Sequence, residues 1–154
     1  MRDARPDDTG LLLSLIRELA DFERLTHECV ADKVLLRRFL FDEPRAHAIV
    51  AEWKGEPAGF ALYFYNFSTF VGRPGLYLED LFVRPEFRRN GIAKAVFRYL
   101  ARKAVEEGCG RMEWSVLNWN ENAIAFYRSL GAKPMDEWTV QRLTGEALAR
   151  LAQS

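Results

Sequence analysis

Apolar residues recur three and four positions apart near the start of the chain. Leu11, Leu12, Leu15, Ile16, Leu19, Ala20 and Phe22 fall on one helical face. The spacing predicts a first helix reaching about Leu25, entered through Pro6 and the N-cap candidates Asp7, Asp8 and Thr9. Val34, Leu35, Phe39 and Leu40 predict a second helix that ends before Pro44. Residues 48–53 and 58–67 then read as strands joined by the turn Lys54-Gly55-Glu56-Pro57, and residues 75–83 as a third strand. Helical spacing returns with Ile92, Val96, Leu100 and Ala104, flanked by Ala93, Phe97 and Ala101, and stops at Gly108 and Gly110. Residues 111–117 predict a strand, 121–130 a short helix ended by Gly131, 138–143 a last strand and 146–152 a terminal helix. Hairpin-linked strands followed by strand-helix-strand units imply an α/β (α+β) fold, a mixed sheet with helices on both faces. Without a repeat or linker, residues 1–154 are expected to form one domain.

Composition narrows the partners. Hydrophobic content of 49% and charged content of 29% describe a globular chain with a real core. A formal net charge of zero argues against nucleic acid as an obligatory partner. Cys29 and Cys109 match no metal spacing and read as reduced thiols, and His27 and His47 stand apart, so no metal site is expected. No apolar run approaches ~18 residues and no signal-peptide pattern opens the chain. The expectation is a cytoplasmic protein with no membrane association.

The chemistry concentrates at Arg88-Arg89-Asn90-Gly91-Ile92-Ala93, between the third strand and the long helix. Unpaired N–H groups at a helix start, the helix dipole, a small residue and flanking arginines together suit a pyrophosphate. The plain alternative is an ordinary strand-to-helix turn with a solvated basic flank.

Arg88, Gly91 and Ala93 meet the pattern Gln/Arg-x-x-Gly-x-Gly/Ala, and Asn120 to Ala132 carries Asn-x-x-Ala-x-x-Phe-Tyr-x-x-x-Gly-Ala. With the strand ending Leu81-Phe82-Val83, these residues resemble the GNAT superfamily of N-acetyltransferases. Leu76 to Val83, Trp119-Asn120-Glu121 and Ile16 to Glu23 resemble its diamine (spermidine/spermine) acetyltransferase branch. Two departures stand out: only Met1-Arg2-Asp3 remains of the usual first strand, and Ala93 replaces the motif's last glycine. The resemblance implies a mostly antiparallel central sheet and acetyl-CoA as cosubstrate. It implies cofactor contacts from Leu81, Phe82 and Val83, from Arg88, Arg89, Asn90, Gly91, Ile92, Ala93 and Lys94, and from Asn120, Glu121, Asn122 and Ala123.

The resemblance further implies that Tyr127 protonates the departing CoA thiolate, since a phenol near pKa ~10 can serve a thiol near ~8.5. Alone, Tyr127 reads first as a packed tyrosine with a satisfied hydroxyl. An amine must lose its proton before it attacks, and a carboxylate can take it. Strand alternation expects Glu79 and Asp80 on opposite faces, and the resemblance selects Glu79. It also implies that Phe22, Glu23, Glu113, Trp114 and Ser115 line the amine site. The expected reaction is direct attack in a ternary complex, with a small-molecule primary amine as acceptor, a polyamine or diamine by branch. An amino acid, antibiotic or protein amine, and a non-catalytic acyl-CoA-binding module, stay open. A homodimer is expected, with Phe64, Phe67, Phe70 and Trp138 as apolar surface.

Overall fold

The hairpin at Lys54 and Gly55 sets the sheet register in the computed structural model, which describes residues 1–154. Both residues have positive φ, 51° and 84°, as a two-residue type I′ turn requires. The turn joins β2 (His47–Trp53) to β3 (Glu56–Ser68), and β4 (Arg73–Val83) returns antiparallel beside β3. The short β1 (Arg2–Asp3) pairs antiparallel with β2, and Arg2 ties it down through Asp8 at 2.7 Å and Glu52 at 3.0 Å. β5 (Arg111–Trp114) runs parallel to β4, so the order is β1-β2-β3-β4-β5. The sheet is mixed and mostly antiparallel, as expected.

One irregularity decides which side chains face which way. The β3–β4 ladder pairs Leu62 with Asp80 and next Tyr63 with Leu78, so Glu79 is the extra residue of a bulge. Cross-strand partners share a face. Leu78 therefore shares the face of Tyr63, while Phe82, beyond the bulge, shares the opposite face of Phe60. On the Phe60 side, α1 (Thr9–Phe22) contributes Leu12 and Leu15 to a buried cluster with Leu40, Val50 and Phe82. On the Tyr63 side, α3 (Ile92–Glu106) buries Ile92, Val96, Phe97, Leu100 and Ala104.

The helices differ from the pattern in detail. α1 stops at Phe22, short of Leu25, because Arg24 turns left-handed (φ 60°) and the Leu25 N–H reaches back to the Ala20 carbonyl at 2.8 Å. α2 (Lys33–Arg37), capped by the Asp32 carboxylate, passes into a π-helical turn, Arg38–Asp42, that carries Leu40 into the core.

The chain divides into two compact units, Met1–Ser115 and Val116–Ser154. The first holds the sheet and α1 to α3. The second holds α4 (Glu121–Ser129) and α5 (Gly145–Gln153). The expected strand at residues 138–143 does not form, and Trp138 and Val140 stand 77% and 81% exposed. Alternation marks a two-faced segment, but a strand exists only with a ladder partner, and these residues have none. For the same reason β5 ends at Trp114 rather than at Leu117. No helix is long and apolar enough to cross a membrane.

Candidate active site

β4 outruns its neighbour. Its parallel pairing with β5 covers Gly75 to Leu78 and stops, while its antiparallel pairing with β3 continues to Val83. From Glu79 to Val83, one edge of β4 is therefore unpaired. The Arg84 N–H donates to the Ala58 carbonyl at 2.8 Å, which fixes the alternation: Arg84 and Phe82 turn their backbone groups to β3, and Leu81 and Val83 turn theirs to the open edge. Of the three predicted strand residues, Leu81 and Val83 can thus grip an extended amide-bearing ligand. The Phe82 backbone is committed to β3, and its side chain is buried in the core.

The turn after β4 ends in an unsatisfied helix start. Pro85–Phe87 forms a 3₁₀ turn, Arg89 and Gly91 both have positive φ (65° and 75°), and Asn90 donates to the Phe87 carbonyl at 3.0 Å. Gly91 caps α3 with no side chain to bond the helix amides, and the first helical bond is Ala95 N–H to the Gly91 carbonyl, 3.0 Å. The N–H groups of Ile92, Ala93 and Lys94 are left for an anion. A Cβ at Gly91 would meet nothing within 4 Å, so the glycine serves the left-handed conformation rather than close approach. The Ile92 side chain is in the core, while Arg89, Asn90 and Lys94 are exposed.

Arg88 behaves differently from its neighbours. Its Nε donates to the Val83 carbonyl at 2.9 Å, and its guanidinium lies 4.8 Å over the Phe22 ring and 5.8 Å over Phe82. The side chain is turned back onto the strand and α1, so it clamps the turn to the sheet.

The acidic residues form one electrostatic group. Burial pushes the Asp80 carboxyl up to about 6, and the charges of Glu79 and Glu23 add to the shift. Burial also raises Glu23, at the end of α1. Strict alternation along β4 is interrupted at Glu79, where the bulge puts Leu78 and Asp80 on opposite faces although they are two residues apart. Asp80 is the residue that pattern reading passed over. Its signal was two adjacent acids inside an apolar strand, which breaks a period of two.

The β5 wall is largely engaged. Glu113 pairs with Arg111 at 2.9 Å, Trp114 packs edge-on against Phe97 at 4.8 Å, and the Ser115 and Tyr77 hydroxyls share a hydrogen bond of 2.8 Å. Tyr77 lies opposite Glu113 and packs tilted against Phe64 at 5.1 Å, so both aromatics belong to this wall, whereas the sequence pattern offered Phe64 only as apolar dimer surface.

In the second unit, Asn120 accepts from the Ala123 N–H at 3.2 Å and caps α4. Glu121 and Asn122 are exposed beside it, and Ala123 is half-buried. Tyr127 is half-buried in the last turn, its carbonyl accepting from Leu130 and Ala132 and its ring beside Phe126 at 5.7 Å.

An open strand edge running into a basic, uncapped helix start suits a long ligand with amides and a pyrophosphate. The profile of the Acetyltransferase (GNAT) family matches residues 13–132. The chain belongs to the GNAT acetyltransferase family. A thialysine N-epsilon-acetyltransferase of Bos taurus is 38% identical to this GNAT protein, covering 99% of this chain and 96% of its own. An L-ornithine N5-acetyltransferase of Arabidopsis thaliana is 33% identical over 96% of this chain and 85% of its own. A spermidine/spermine N(1)-acetyltransferase-like protein of Homo sapiens is 30% identical over 99% of this chain and 23% of its own. Among solved structures, an integron cassette protein from the mobile metagenome of V. cholerae superposes with a TM-score of 0.82 at 26% identity, covering 99% of this chain and 96% of that one. This GNAT protein is an N-acetyltransferase acting on amines.

Proposed function

We propose that this enzyme transfers acetyl from acetyl-CoA to the terminal or side-chain primary amine of a small molecule, by direct attack in a ternary complex. The observation that carries the reading is the acidic group of Asp80, Glu79 and Glu23 next to the open edge of β4. An alkyl ammonium arrives charged, with a pKa near ~10, and carboxylates both attract it and accept its proton. A carboxyl held near 6 is ionised at neutral pH yet a better proton acceptor than one at its ordinary value. Asp80 is therefore assigned the proton transfer together with Glu79, while Glu23, Phe22, Tyr77 and Ser115 shape the acceptor wall.

The residues present fit acetyl-CoA, which supplies the activated acetyl group as a thioester. Leu81 and Val83 would hold its amide arm, and the N–H groups of Ile92, Ala93 and Lys94 its pyrophosphate, with Arg89 adding charge. Tyr127 is assigned, on family resemblance, as the donor of a proton to the leaving sulfur. Residues 13–132 matched by the family profile run through both compact units, which supports one functional domain. The relatives named for thialysine, ornithine and spermidine/spermine share an acceptor amine on a short alkyl chain, and we assign the same substrate class here.

A panel assay of CoA release tests the reading, with thialysine, ornithine, spermidine and an aminoglycoside as acceptors. Turnover is expected with the alkyl amines. Acetyl-CoA binding without turnover on any amine would overturn it. Tyr127→Phe is expected to lower kcat by about 100-fold with acetyl-CoA affinity nearly unchanged, and full kcat at saturation would remove Tyr127 from the mechanism.

A further inference from the structure

A separate cavity of about 450 Å³ lies in the sheet-bearing unit, by the C-terminal half of α3. His47, Tyr63 and Tyr65 line it together with Lys103, Glu107 and Asp3. The strand register builds its aromatic part: His47 pairs with Tyr63, and Tyr65 follows two residues on, on the same face. The ring centroids lie 5.4 Å apart for His47–Tyr63, 5.8 Å for His47–Tyr65 and 6.1 Å for Tyr63–Tyr65, the two tyrosines edge-on.

The polar groups are unevenly satisfied. Lys103 Nζ lies 2.9 Å from the Glu107 carboxylate, and the Tyr65 hydroxyl donates to the same carboxylate. The lysine charge is thus answered inside the protein. Asp3 accepts only the Tyr99 hydroxyl, at 3.2 Å, and makes no ion pair. Tyr63 is 3% exposed and lines the cavity, and its hydroxyl makes no hydrogen bond within the protein. Burial pushes both phenols up, so each stays a neutral donor. The lining carries one carboxylate in excess beside the phenol rings of Tyr63 and Tyr65 and the imidazole of His47.

We propose that this cavity is a binding site for a small organic ammonium ion, distinct from the acetyl-transfer site. The Tyr63 and Tyr65 rings attract the cation, Asp3 supplies counter-charge, and the Tyr63 hydroxyl bonds a polar group of the ligand. An anion would find Lys103 already paired, and a purely apolar ligand would leave Asp3 without a counter-charge and the Tyr63 hydroxyl without a partner. Lys103 follows Ile92 by eleven residues, which puts the cavity about 16 Å along α3 from the basic turn. The proposal does not rest on the reading of the transfer site.

Choline titrated into the full chain by calorimetry tests the site. Saturable one-site binding is expected, with 3,3-dimethylbutan-1-ol, the uncharged isostere, at least about tenfold weaker. Tyr65→Ala and Asp3→Asn should each weaken choline by about fivefold or more. Tyr65 is 37% exposed, so its truncation is expected to leave the melting temperature and acetyl transfer intact. Glu79→Gln should leave choline affinity unchanged. Absence of saturable binding, equal binding of the isostere, unaltered affinity in both cavity variants, or loss of binding in Glu79→Gln would each overturn the proposal.

Discussion

Asp80 stands opposite Leu62 at the bulge of β4, with its carboxyl pushed up to about 6 by burial and by two neighbouring acids. A raised carboxyl binds its proton more tightly in the native protein than in the unfolded chain. The stability it contributes is fully present below its ordinary value, 3.8, and is lost as pH rises through about 6. Asp80→Asn removes this penalty. At pH 8 the variant is expected to be more stable than the parent by about 2 kcal/mol, and the gap should close by pH 4. Its kcat/KM should fall and lose the rise through pH 6. Melting curves and rate profiles across pH check both, and a pH-independent gap would refute the burial argument. The sequence displays both acids, and the choice between them was not legible there. A bulge shifts alternation by one residue, and the shared field of Glu23, 56 positions from Glu79, exists only in three dimensions.

At the scale of elements, the contact of β3 with β4 holds the open edge in place. A Cβ on Gly59 would stand 2.2 Å from the Phe82 carbonyl and 3.1 Å from the Val83 Cα. Gly59→Ala must push the strands apart, and is expected to cost about 3 kcal/mol. Because Gly59 pairs with Val83, acetyl-CoA affinity should fall together with the melting temperature. An unchanged affinity would show that Val83 makes no cofactor contact. The hairpin at Lys54-Gly55 and the faces of α1 and α3 were legible, since each is written in local spacing and turn chemistry. Residues 138–143 were not, because their alternation names a face without naming a neighbour.

At the scale of the whole molecule, the second unit leaves much apolar surface in water. Trp138, Val140, Met135 and Leu151 are each more than 60% exposed, and α5 buries no residue. We propose a homodimer that covers part of this surface. Light scattering should return twice the 17.8 kDa chain mass at micromolar concentration, and a monomer would refute it. The open edge of β4 has an intermolecular side as well. A bare row of strand amides and carbonyls is a template on which another chain can build, and edge-to-edge growth is how such sheets aggregate. Here three devices blunt it: the bulge twists the strand, the Glu79 charge sits on it, and the Arg88 guanidinium occupies the Val83 carbonyl. Arg88→Ala strips one of them, together with the guanidinium's contacts to the Phe22 and Phe82 rings. On heating, it should scatter light at a lower temperature than the parent, and acetyl-CoA should delay that onset. The strand edge proposed to hold a ligand is thus also an edge that another chain could extend, and Arg88 occupies one of its carbonyls.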